Sequence, residues 1–162
     1  MSNRAHRRAR RPAYLPDLGM VDWKVVAIVD DDHCQNPGCV HHRHDRPAPD
    51  GAAAMFAYTV GLHQRHQLPE LYLDADPTDT ATFGPCQMSP QLLCETLNDL
   101  GSRLVEGKAG PGGYIDVGGT VRGARCVYTF TFGQTCPRDS FQAYQAHPRA
   151  FVIPITWTVR PA

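Results

Sequence analysis

Ser89-Pro-Gln-Leu-Leu-Cys-Glu-Thr-Leu-Asn-Asp-Leu-Gly-Ser-Arg-Leu-Val-Glu-Gly107 is the one long stretch of this chain with a helical period. Ser89 can cap the first turn, Pro90 suits the first helical position, and Gly107 can end the helix. Leu93, Leu97, Leu100 and Leu104 fall at spacings of four, three and four, which places them in one apolar stripe. A helix with a single stripe must pack that stripe against another layer, and the rest of the chain supplies a sheet.

The runs around it have the period of strands. Residues 22–29 form a short apolar run rich in β-branched side chains, as a buried strand does. Residues 53–62 and 69–74 predict a second and a third strand, and 114–121 and 125–132 two more. In 125–132, Tyr128, Phe130 and Phe132 alternate with Val127, Thr129 and Thr131. Residues 151–159 alternate again, with Phe151, Ile153, Ile155, Trp157 and Val159 on one face. Pro154 lacks an amide donor, which predicts an edge strand or a bulge there. Residues 140–146 suit a short helical turn. The expected fold is α+β: a single domain with a mostly antiparallel sheet of about six strands and one long helix packed on it. The expected core is Trp23, Val25, Phe56, Tyr58, Val60, the leucine stripe, Phe130 and Ile153.

Composition sets the outer bounds. The chain has 162 residues, 42% of them hydrophobic, which suits one domain with a true core and excludes a disordered or fibrous chain. Its 14 glycines and 14 prolines make it loop-rich and argue against a helical bundle. No apolar run approaches the roughly 18 residues of a membrane span, and no secretion signal opens the sequence. A cytoplasmic protein without membrane contact is expected. The zero net charge hides an asymmetry, because five of the 16 basic residues lie within the first 12 positions. Residues 1–21 therefore read as a basic, disordered arm, and 22–162 as the domain, mildly acidic overall. Arg4, Arg7, Arg8, Arg10 and Arg11 could make a weak contact with an anionic partner, or could simply solubilise the chain.

The chemistry-bearing residues cluster in an insertion at 30–51. Cys34, Cys39, His41, His42 and His44 lie within 11 residues, around the turn-forming Asn36-Pro37-Gly38. Zinc takes four tetrahedral nitrogen or sulfur ligands, so both cysteines with two of the three histidines would serve as a structural site. A polar loop with incidental histidines, or a Cys34–Cys39 disulfide, is the alternative. Asp30-Asp31-Asp32 before it reads as a solvated strand end or a weak cation site. Without a secretion signal, the remaining cysteines (Cys86, Cys94, Cys126 and Cys136) read as small buried side chains, with Cys86 the first choice for any nucleophile. Gly107-Lys-Ala-Gly-Pro-Gly-Gly113 follows the helix and lacks the Ser or Thr of a phosphate loop, so it is a connection. His63, His66 and Glu70 form a second candidate site, in which Glu70 would orient an imidazole for hydrolytic chemistry, or else a surface loop.

Phe56-Ala-Tyr-Thr-Val-Gly-Leu62, followed by Pro69-Glu70-Leu71, resembles the hallmark of the domain of unknown function 4262 family of bacteria and phages. The likeness runs from about Trp23 to Trp157, with Leu68 standing where that family usually has His. The opening Ser-Asn-Arg-Ala-His-Arg-Arg is similar to starts of actinobacterial and actinophage proteins. The resemblance implies an α+β fold. The expected function is that of a non-enzymatic module with a zinc-stabilised insertion, which acts through contacts with an unknown protein partner as a phage or accessory bacterial factor. The competing expectation is a zinc-dependent or His/Glu-based hydrolase.

Overall fold

The computed structural model describes residues 21–30, 53–78 and 86–162. Residues 1–20 of the arm and the Cys/His cluster, Cys34 to His44, lie outside the described residues, and Val21, the last residue assigned to the arm, is half-buried against the core. The elements are β1 (Lys24–Asp30), β2 (Ala53–Val60), α1 (Leu62–His66), β3 (Glu70–Asp74), α2 (Pro90–Val105), β4 (Tyr114–Val121), β5 (Ala124–Phe132), β6 (Cys136–Pro137) and β7 (Phe151–Pro161). They build one mixed sheet in the order β1-β2-β3-β7-β5-β4, with β6 also paired to β7. Every pairing is antiparallel except β3 with β7. The fold is α+β, as expected.

α2 begins as its sequence requires. The Ser89 side chain accepts from the Leu92 amide at 3.1 Å, and Pro90 opens the helix. Leu93, Leu97, Leu100 and Leu104 are all buried on one side and pack on the sheet over β1, β2 and β3. Trp23, Val25, Leu71, Leu73, Phe130, Ile153, Ile155 and Trp157 join them in the main core.

The β1–β2 side of the sheet is covered on its other face as well. Val26, Ile28, Phe56 and Tyr58 point away from α2 and pack against Ala143 and Ala146. Successive strand residues face opposite ways, so a second layer of chain is what lets β1 read as a continuous apolar run. The expected core residues are thus divided between two faces, with Val60 only half-buried.

Two expectations are corrected, and a third is decided between its two alternatives. β2 ends at Val60, not at 62, because Gly61 has φ +124° and turns the chain into α1. The helical turn expected at 140–146 falls instead at Arg138–Ser140, as a 3-10 turn. β7 is not an edge strand. Pro154 sits where its neighbour changes from β5 to β6, and Gly133 donates to the Pro154 carbonyl at 2.8 Å. Between the Phe132–Ile155 and Cys136–Val152 pairs the neighbouring chain takes one more residue than β7 does. That bulge-like break is where a missing amide donor is tolerated.

Candidate functional site

Glu70 is fully buried, and it organises the corner between β2 and β3. One carboxylate oxygen accepts from the Thr59 hydroxyl at 2.9 Å and the Leu62 amide at 3.1 Å. The other accepts from the amides of Gly61 at 3.1 Å and His63 at 3.2 Å. The Thr59 hydroxyl oxygen in turn accepts from the Leu71 amide at 2.9 Å. The first amides of a helix have no partners within it. Gly61 has no side chain to cap α1, so Glu70 does so from the next strand, with its negative charge at the helix start. The helix closes with Gln67 at φ 53°, its amide donating to His63 and that of Leu68 to Leu62.

Gly61 has a second duty. A Cβ there would stand 3.1 Å from the Trp23 backbone, and one at Gly101 would stand 3.0 Å from the indole ring. Trp23 is therefore clamped between the corner and α2. Residues Thr59, Gly61, Leu62 and Glu70 of the sequence hallmark form one structural unit.

The sequence placed His63, His66 and Glu70 together, and the structure separates them by role. Glu70 does not orient an imidazole, since both its oxygens hold the corner. His66 Nε2 pairs with Asp22 at 2.7 Å and its ring meets Trp23 edge-on, at 6.0 Å between centroids. That hydrogen bond to His66 holds the Asp22 carboxyl below the usual carboxylate range. The pair borders a shallow cleft of about 310 Å³ with Val21, Ser102, Val105 and Glu106.

His63 turns to the other side. Its ring lies 4.9 Å from that of His147, tilted by 31°. It lines a cleft of about 390 Å³ together with Gln67, Leu68, Pro69, Thr135, Arg149 and Phe151. Leu68, Pro69 and Phe151 give an apolar floor, and Arg149 gives a cation. Among the described residues no carboxylate lines it. The Arg149 amide donates to His147 Nδ1 at 3.0 Å, so neutral His147 carries its proton on Nε2. Phe151 is 55% exposed, although it shares a strand parity with Ile153 and Ile155. It lies at the start of β7, and its expected place on the buried face is corrected.

The expectation of buried thiols holds for two of the four. Cys94 and Cys126 are buried, Cys86 and Cys136 half-buried, and all four are free. Burial pushes the Cys94 thiol up to about 12, which removes it as a nucleophile near neutral pH. Among the described residues no three His, Cys, Asp or Glu side chains gather as a metal site. Among them too, no helix is long and apolar enough to cross a membrane.

Sequence reasoning missed His147, Arg149 and Thr135. They come from segments far from His63 in the chain, and only the parallel pairing of β3 with β7 brings them to it. Comparison with family models, with curated proteins and with solved structures gave no match.

Proposed function

We propose that the chain is a non-enzymatic binding module that acts through contact with another protein, as a cytoplasmic accessory factor of a bacterium or phage. The family it resembles supports the biological setting. The observation that carries the reading is the lining of the His63–Phe151 cleft. It sets apolar surface beside a guanidinium, and among the described residues no carboxylate lines it. The nearest acid in the sequence, Glu70, is buried and committed to four hydrogen bonds. An exposed aromatic ring in the lining of such a cleft is what contact surfaces use as an anchor. Selection of a displayed random-peptide library on the immobilised full chain tests this. Enriched peptides are expected, and Phe151→Asp should abolish their binding. No enrichment, or enrichment indifferent to Phe151→Asp, would overturn the reading.

The proposal includes a structural zinc ion in the connection between β1 and β2. Asp30 pairs with Ala53, so the ends of that connection are held together by the sheet. Ordering the chain between them costs roughly 1–2 kcal/mol per residue for the backbone, and the segment has few apolar side chains to offset it. Zinc bound by Cys34, Cys39 and two of His41, His42 and His44 would supply that energy. Elemental analysis of protein purified without chelator should find about one zinc per chain, lost in Cys34→Ser/Cys39→Ser. Metal-free protein would refute the site. The basic arm, Arg4 to Arg11, adds at most a weak, salt-sensitive contact with anions.

A further inference from the structure

We propose that the His63–Phe151 cleft takes a segment of a partner protein in which an apolar side chain stands close to a carboxylate. The inference rests on the binding-module reading and specifies its ligand. Residues 149–151 alternate: Arg149 is exposed, Ala150 is buried and Phe151 is exposed. Arg149 is an inner residue of the turn that the Ala150 amide closes on the His147 carbonyl at 2.9 Å, and Phe151 opens β7 directly after it. Both line the cleft, so a cation and an aromatic ring are offered close together. A ligand that matches them carries an apolar and an anionic group close together.

Charge decides the sign. Among the described residues no carboxylate pairs with Arg149, and none lines the cleft. His63 and His147 stand against each other nearby, and any proton they gain adds positive charge. A basic segment would meet like charge at Arg149. The apolar floor decides the rest. A single exposed cation holds an anion weakly, so inorganic phosphate or a nucleic acid backbone would gain nothing from Leu68, Pro69 and Phe151. An acidic, apolar peptide uses both halves of the lining.

The test is fluorescence anisotropy of the full chain with three labelled peptides, identical Gly/Ser sequences bearing a central Phe-Ser-Glu, Phe-Ser-Lys or Ala-Ser-Glu. Phe-Ser-Glu should bind about tenfold or more tightly than either other peptide. Arg149→Ala should erase the preference for Glu over Lys, and Phe151→Ala the preference for Phe over Ala. Arg125→Ala, on exposed β5 surface, should change neither. Equal binding of the Lys peptide, or a Glu preference that survives Arg149→Ala, would overturn the proposal. So would displacement of the peptide by inorganic phosphate at low millimolar concentration. Library-selected peptides that need Phe151 but carry no acid would overturn this inference and leave the binding-module reading standing.

Discussion

Glu70→Ala is expected to destabilise the fold by about 4–5 kcal/mol, at the far end of what single substitutions do. Glu70 is 0% exposed, and its two oxygens satisfy the Thr59 hydroxyl and three consecutive amides at the start of α1. A buried donor left without an acceptor costs about 1–3 kcal/mol, and alanine removes the acceptor from all of these at once. The hole it leaves sits under Gly61 and Leu62, beside the clamp on Trp23. Glu70→Gln keeps the volume and one oxygen but turns an amide nitrogen toward amide donors, so an intermediate loss is expected. For a domain of this size the alanine change should lower the melting temperature by about 10 °C or more. A loss within about 0.5 kcal/mol, the range of ordinary surface changes, would mean that the corner does not depend on the carboxylate.

The same residue marks how far the sequence could be read. Helix α2 was legible because its signals are local: a cap, a proline, a stripe of leucines and a closing glycine. The strands were legible because alternation and β-branched runs are local too. The sequence also marked the corner, since Phe56 to Leu62 and Pro69 to Leu71 stood out as a pattern. Its physical meaning was hidden. A glutamate near two histidines reads as polar surface, and nothing in the string shows that its partners are backbone amides. Only the antiparallel return of β3 beside β2 puts the carboxylate over the start of α1. Pro154 left a choice open for a related reason. Its missing donor predicts a free edge or a bulge, and only the pairing shows that the ladder breaks beside it in the middle of the sheet. The cleft was illegible because it joins positions 63–69 to 135–151, and the parallel β3–β7 pair that joins them has no local signature.

Trp157→Ala should cost about 3–5 kcal/mol, the range for removing a large buried aromatic. Trp157 is 1% exposed in the middle of β7, between β3 and β5. Its Nε1 donates to the Asp74 carbonyl at 2.9 Å, and its ring lies 5.7 Å from that of Tyr128. It also faces Phe130 across the β5–β7 pairing. The substitution thus opens a cavity where three strands meet and leaves the end of β3 without its cross-sheet donor. Trp157→Phe restores most of the volume but not the donor, so a smaller loss is expected. The neighbouring Thr156 points to the exposed face, and Thr156→Ala should change stability by no more than about 0.5 kcal/mol. Urea denaturation of the three variants reads the difference directly, as shifts in midpoint at unchanged slope. Equal losses at 156 and 157 would mean that β7 does not hold its alternate residues to two unlike faces, and the central place of that strand would fall with it.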